Sequence, residues 1–304
     1  MKILKVILGL NTCFAVKRWV EPSEWTKILI NLGVSDCQLS LDLLEPFTEE
    51  IAKSMMINEI IGYTTQYDIY IHSAFTGLAA YSYNLLAHPD FGMRMSFLYW
   101  YQLAIEIASS LGCRGVGGHI AAFTVKDYKD KTRREYLTNA VIDSLRYLAA
   151  QSKLNELEYF LVEPMPLARE QPFEIEGAKK FYEMVNRDNI GVPIKYCIDL
   201  GHSCAVACHD EYSRDPYNWL RELAEYSPEI HVQQTDGIAD RHWPFIDEYN
   251  KKGIIEPTKV LDAIEESGTK EVSLFLEIIH PFEADEEKVL DDITKSVEYW
   301  KQYI

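Results

Sequence analysis

The sequence predicts an α/β protein of one kind, a single (β/α)8 barrel, and three observations point there. Short apolar runs alternate with longer amphipathic segments about eight times along the 304 residues. The runs are apolar on both faces, as strands of a parallel sheet are when helices cover them. No Pro/Gly/Ser-rich linker and no low-complexity stretch divides the series, so one domain over residues 1–304 is expected. An open doubly wound sheet is the competing architecture. It is disfavoured because no Gly-x-Gly-x-x-Gly follows the first run, where a dinucleotide would need it.

The elements follow in order. Val6–Leu10 is a buried strand by pattern, and Pro22 opens a helix that carries Trp25, Ile28, Leu29 and Leu32 on one side and stops at Gly33. Cys37–Leu41 is the second strand, and Thr48 is expected to cap a helix running through Ile60. Ile69–Ile71 is the third strand, ending in His72; a helix over 90–111 follows, with Gly112 as its stop. Gly115–Gly118 ends in His119, a helix spans 131–154, and Tyr159–Val162 ends in Glu163-Pro164. After a helix over 174–186, Ile194–Ile198 ends in Asp199, and Asp215-Pro216 places a proline in the first turn of the next helix. Glu229–Gln233 and Val272–Leu276 complete the strands, the last ending in Glu277, with helices over 257–266 and 285–299.

Composition narrows the function. A formal net charge of −17 argues against a surface that coats nucleic acid, where Lys and Arg must neutralise phosphates, and against an anionic membrane surface. No apolar run is long enough to span a bilayer, and the Met1-Lys-Ile-Leu-Lys5 start lacks the features of a signal peptide. The six cysteines show no repeated spacing, and Cys204-x-x-x-Cys208 has no second pair to complete a zinc knuckle. Reduced thiols in a cytoplasm fit best. A small anionic substrate remains compatible if basic residues gather locally in a pocket.

In barrels of this kind the active groups collect at the C-terminal strand ends. Those ends are His72, His119, Glu163, Asp199 with His202, Gln233 and Glu277. Gly201 is expected to permit the tight turn that brings Asp199 and His202 together. Any one of these residues could simply cap the following helix, but six converging ends make that a poor account of the set. Crowded carboxylates repel unless a cation neutralises them. Glu163, Asp199, Glu277 and the Gln233 amide oxygen form an all-oxygen set suited to one divalent ion, Mn²⁺ or Mg²⁺ first, with Co²⁺ or Zn²⁺ as further candidates. Such an ion would act on a substrate with adjacent oxygens, such as a hydroxy-ketone, and stabilise an enediolate.

The ordered set of Glu163, Asp199-x-x-His202, His231-Val-Gln233-Gln-Thr-Asp236 and Leu276-Glu277 resembles the xylose isomerase-like TIM-barrel family, over nearly the whole chain. That family holds sugar isomerases, ketose 3-epimerases and zinc endonucleases of abasic DNA repair. The resemblance implies that Glu163, Asp199 and Glu277 bind metal, with Glu163 and Glu277 also serving as acid/base groups on opposite faces of the substrate. The ketose 3-epimerase branch uses a His on the seventh strand as its remaining ligand. Gln233 is read here as standing in that place, as in the hydroxypyruvate isomerase branch, with His231 packed on the barrel side as a supporting donor. His202 would hydrogen-bond the substrate's oxygens, Arg241 matches a substrate-binding arginine, and Arg169 matches a position near the substrate. His72, His119 and His242 join the substrate-binding group.

Asn11–Arg18, Gln38–Pro46 and Gln233–Gly237 look like the tetrulose-phosphate epimerase/racemase branch, which makes a tetrulose 4-phosphate the expected substrate. Lys17 and Arg18, just after the first strand, would then meet a phosphate dianion, and so would Arg241. A solvated loop pair is the plainer reading of Lys17 and Arg18. Trp19, Trp243, Phe75 and Tyr81 either wall the pocket or belong to the core. Three other readings compete with a sugar isomerase or epimerase. One is a multi-zinc endonuclease IV-like phosphodiesterase, which would use His72, His119, His202 and Asp240-x-His242; the second is a dehydratase or decarboxylase on the same scaffold, and the third is a barrel that binds a sugar for regulation without turnover. The sequence is compatible with a homo-oligomer.

Overall fold

The computed structural model describes residues 4–203 and 210–304, so Cys204 and Cys208 lie outside the described residues. Eight parallel strands close into a barrel in sequence order. They are β1 (Lys5–Asn11), β2 (Asp36–Ser40), β3 (Tyr70–Phe75), β4 (Gly115–Gly118), β5 (Tyr159–Val162), β6 (Ile194–Asp199), β7 (Glu229–Val232) and β8 (Glu271–Leu276), with β8 pairing back onto β1. The covering helices are α1 (Pro22–Asn31), α2 (Glu50–Tyr67), α3 (Phe91–Ser110), α4 (Val125–Lys129), α5 (Lys131–Leu154) and α6 (Ile175–Asn186). The chain continues through α7 (Leu200–Ser203), α8 (Pro216–Leu223), α9 (Asp247–Asn250), α10 (Pro257–Glu266) and α11 (Glu286–Lys301).

Local signals account for most boundaries. Proline stands in the first turn of α1, α8 and α10, and Asp90, Asp130 and Asp285 accept a backbone N–H at the starts of α3, α5 and α11. Three expectations fail. Glu49, not Thr48, caps α2 by accepting from the N–H groups of Ile51 and Ala52, and the helix runs on past Ile60 to Tyr67. Gly62 does not break it, because nothing crowds that position and the helix already has the tertiary support of its neighbours. The third strand likewise runs to Phe75, so His72 lies inside β3 and not at its end.

The strands carry their large apolar core outward. Trp25, Leu29, Tyr101, Trp219 and Trp300 are fully buried between strands and helices. Burying a side chain such as Leu29 contributes roughly 1.5–3 kcal/mol. Inside the barrel the apolar cluster is small, formed by Phe75, Tyr159, Leu161 and Cys197. Much of the remaining interior is polar. Cys13, Cys37, Cys113 and Cys197 are buried free thiols. Among the described residues no helix is long and apolar enough to cross a membrane.

Candidate active site

Three buried carboxylates and one imidazole meet near the C-terminal end of the barrel. Ligand atoms of Glu163, Asp199, His231 and Glu277 all lie within 4.8 Å of one another. Glu163 follows β5, Asp199 ends β6, His231 sits within β7 and Glu277 follows β8, so four strands supply one atom set each. Nδ1 of His231 lies 3.2 Å from Glu163 Oε1, 3.0 Å from Glu277 Oε2 and 3.8 Å from Asp199 Oδ2. No Lys or Arg pairs with these three carboxylates among the described residues.

The second oxygens of two carboxylates decide what the cluster can hold. Asp199 Oδ1 accepts from the N–H groups of Gly201 and His202 and from Gln233 Nε2, at 2.6, 3.1 and 2.9 Å. Its other oxygen, Oδ2, is buried without a hydrogen-bond partner among the described residues, and so is Glu277 Oε2. A buried, unpaired carboxylate oxygen is costly, and two of them facing one imidazole nitrogen suit a divalent cation. Three oxygen donors with one nitrogen donor would be its protein ligands.

That set differs from the expected one in a single member, with His231 in the place given to Gln233. Gln233 stands just past β7, and both ends of its amide are already bonded. Its Nε2 donates to Asp199 Oδ1 and, at 2.7 Å, to Asp240 Oδ1, while its Oε1 accepts from the backbone N–H groups of Arg241 and His242. His231, expected only as a supporting donor, is the side chain that faces the carboxylates. Its predicted alternation was right; what the pattern missed was depth, because the imidazole that meets the carboxylates lies below the rim. Gly201 also serves differently from its expected role. It lies within α7 without a left-handed φ, and a Cβ there would meet the Gln233 amide at 2.2 Å.

Around the cluster, Tyr81 donates to Glu163 Oε2 at 2.6 Å, and its ring stacks on His119 with centroids 5.3 Å apart. Both ring nitrogens of His119 are buried without a partner among the described residues. Burial, opposed by Glu163, brings its pKa down to about 4, so the ring is neutral at physiological pH. His202 Nε2 lies 3.2 Å from Asp240 Oδ2, and His242 Nε2 lies 3.1 Å from the same oxygen. Burial works against protonation of His202, but Asp199, Asp240 and Glu163 together hold its pKa well above the usual imidazole value. In His242 burial is again outweighed, chiefly by Asp240, and the pKa rises to about 9. Asp240 itself is held well below the usual carboxylate range by those two imidazoles, against its own burial.

The remaining predicted residues divide. His72 is removed from the rim. The register of β2 against β3 shifts so that Cys37 pairs with Ile71 and Gln38 with Ser73, leaving His72 as the extra residue. Its Nε2 bonds Asp36 at the start of β2, at 2.8 Å, near the opposite end of the barrel from the carboxylates. Lys17 and Arg18 pack against the loop after β8: Lys17 Nζ sits 4.1 Å from the Phe282 ring, and Arg18 donates to the Pro281 carbonyl. Arg241 makes a two-pronged ion pair with Asp236 and lies over Trp243. Arg169 donates to the Phe123 carbonyl, while Glu170 beside it is buried, and that burial raises its carboxyl pKa to about 6. An open cavity of about 700 Å³ lies at the mouth, lined by Leu78, Arg241, Trp243, Ile279, Phe282 and Lys288 among others. Of the four aromatics, Tyr81 reaches the site, Phe75 packs edge-on to His231, Trp243 lines the mouth and Trp19 packs on Phe14.

Comparison with known proteins agrees with the barrel fold. The chain is 28% identical over 304 residues to D-erythrulose 1-phosphate 3-epimerase of Brucella abortus (strain 2308), covering 99% of this chain and 97% of that protein. A crystal structure from Rhodospirillum rubrum ATCC 11170, provisionally named a xylose isomerase, superposes with a TM-score of 0.91 at 28% identity, covering 98% and 99% of the two chains. D-psicose 3-epimerase from Clostridium cellulolyticum H10 shares the fold with a TM-score of 0.72 at 15% identity, over 98% and 99% of the chains. The profile of the xylose isomerase-like TIM barrel matches residues 35–302. An enzyme of the sugar epimerase and isomerase kind, this chain belongs to the xylose isomerase-like TIM barrel family.

Proposed function

We propose that this protein is a divalent-metal-dependent 3-epimerase of a tetrulose phosphate. The observation that carries the reading is the pair Glu163 and Glu277. They come from strands three apart and converge on His231 Nδ1 at 3.2 and 3.0 Å. Two carboxylates with a substrate between them can work on opposite faces of one carbon. One takes the proton from C3 and leaves an enediolate; the other returns a proton from the far side, inverting the centre. General acid–base help of this kind contributes typically 10²–10⁴-fold.

Glu163, Asp199, His231 and Glu277 would hold the metal. With one imidazole among three carboxylates, the set leans toward Mn²⁺ or Co²⁺ over Mg²⁺. Such an ion would supply Lewis-acid stabilisation of negative charge on the substrate's oxygens. Tyr81 orients Glu163 through its hydroxyl, Asn11 Nδ2 orients Glu277 through a 3.0 Å bond to Oε1, and protonated His202 would donate to a substrate oxygen. The phosphate would sit in the mouth cavity, where Arg241 lines the wall and Lys17 reaches the ring of Phe282. The Brucella abortus relative carries a 1-phosphate in its name, so the 1-phosphate replaces the 4-phosphate as the first substrate to test.

The experiment is solvent exchange at C3. Incubation of erythrulose 1-phosphate with the protein and Mn²⁺ in D₂O should place deuterium at C3 and give both configurations at that carbon, with Glu163→Gln and Glu277→Gln each losing turnover. Absence of exchange from folded, Mn²⁺-loaded protein would refute the reading. A second group, Asp199, His202 and His242, lies close enough for another ion and favours the multi-zinc phosphodiesterase as the competing function. The Gln233 –NH₂ donates into that group, which suits a hydrogen-bonded cluster better than a metal. Metal analysis separates the two: one ion per chain supports the epimerase, three zinc ions the nuclease.

A further inference from the structure

Glu229 lies at the start of β7, two residues before His231. It is fully buried, and no Lys, Arg or His pairs with it among the described residues. Its partners are three neutral donors: Gln38 Nε2 at 2.8 Å, the Ser73 hydroxyl at 2.6 Å and the Tyr159 hydroxyl at 2.7 Å. A buried acid without a counter-ion is expensive, and nothing in the proposed chemistry uses it directly.

Its effect is carried by Gln38. That amide is held from two sides by groups with a single hydrogen-bonding sense. The Glu229 carboxylate only accepts, so it takes the Gln38 –NH₂. On the other side the Cys13 backbone N–H only donates, which makes Asn11 Oδ1 the acceptor and turns Asn11 Nδ2 toward Gln38 Oε1 at 2.7 Å. Gln38 therefore presents its oxygen, and that oxygen lies 2.6 Å from His231 Nε2. Nε2 must carry the proton, and Nδ1 is the nitrogen left to face Glu163, Asp199 and Glu277.

We infer that Glu229 and Gln38 are positioning residues that set the tautomer of His231, so that Nδ1 is offered to a divalent cation. This rests on the proposed metal site, and the test separates the two. In Glu229→Gln the new amide can donate to Gln38 Oε1. Only Asn11 then opposes Gln38 turning over to give its –NH₂ to His231 Nε2, a turn that moves the ring proton to Nδ1. Gln38→Met removes the acceptor altogether. Tyr159→Phe deletes one donor to Glu229 but leaves Gln38 between both anchors, so it reports on stability alone.

Mn²⁺ binding to the intact protein is followed by EPR, with urea unfolding in parallel. Glu229→Gln and Gln38→Met should bind Mn²⁺ about 10–100-fold more weakly, and Tyr159→Phe should bind as wild type does even where it unfolds more easily. Histidine ¹⁵N spectra of the wild-type protein with Mg²⁺ should show His231 protonated at Nε2. Wild type that binds Mn²⁺ while Glu229→Gln binds it equally tightly overturns this inference and leaves the metal site standing. Wild type that binds no Mn²⁺ overturns both. Should the variants fail to fold, the wild-type spectrum decides, because a His231 ring without a proton on Nε2 overturns the assignment.

Discussion

Replacing Gly201 with alanine tests the site through a single methyl group. The added Cβ would stand 2.2 Å from Gln233 Cδ, 2.3 Å from Nε2 and 2.5 Å from Oε1. That is more than an ångström short of ordinary contact. Gln233 cannot swing aside cheaply, since Asp199, Asp240 and two backbone N–H groups hold its amide at both ends. Overpacking of this kind costs about 1–3 kcal/mol, and each displaced hydrogen bond adds about 0.5–1.5 kcal/mol. We expect Gly201→Ala to lose about 2–4 kcal/mol in urea unfolding on those two terms. It should also weaken Mn²⁺ binding, because Asp199 must move with Gln233. Gly62→Ala is the matched control: nothing crowds that position on the exposed side of α2, and it should gain about 0.5–1 kcal/mol. A Gly201→Ala protein with wild-type stability and wild-type Mn²⁺ affinity would refute the clearance argument.

Other outcomes follow from the same geometry. His119 has its pKa lowered by burial from the ordinary 6.5 to about 4, so the folded state binds fewer protons in that window. Its contribution to stability is complete above pH 6.5 and is lost as pH falls toward 4, by about 3 kcal/mol in all. The stability gap between wild type and His119→Gln, followed by urea unfolding, should narrow by that amount, and a gap independent of pH would contradict it. Tyr81→Phe removes the 2.6 Å bond to Glu163 and should lower kcat about tenfold with little change in KM, read from steady-state kinetics. Arg241→Ala should raise KM for the phosphorylated ketose far more than for the free sugar if the mouth cavity takes the phosphate. EDTA treatment should lower the melting temperature, and Mn²⁺ should restore it, since ligands that bind only the folded state stabilise it.

The barrel and its rim were legible because both follow from local pattern. Glu163-Pro164, Asp199 and Glu277 each close a short apolar run, and a strand end is visible in sequence. Depth was not. His231 lies within β7, two residues short of the expected ligand, and nothing in an Ile-His-Val-Gln pattern says which alternate position reaches a neighbour across the barrel. His72 was misassigned for the related reason that a polar pair, His72-Ser73, ended the apolar run although the strand continued. Ser73 is polar because it meets Glu229, 156 positions away. Gln38 and Glu229, separated by 191 positions, form a contact that only closure of the sheet creates. Gly201 marked the right place for the wrong reason, as clearance for a side chain and not freedom of the backbone.

Cohesion and reactivity occupy different radii in this molecule. Tryptophans and leucines form an outer sleeve, whereas the inner tube is threaded with acids, amides and imidazoles running from Glu229 up to Glu277. Lineages of this protein could therefore remodel the sleeve for heat or solvent tolerance while the tube stays fixed, and a library randomised by distance from the barrel axis should separate folding defects from silent, folded enzymes.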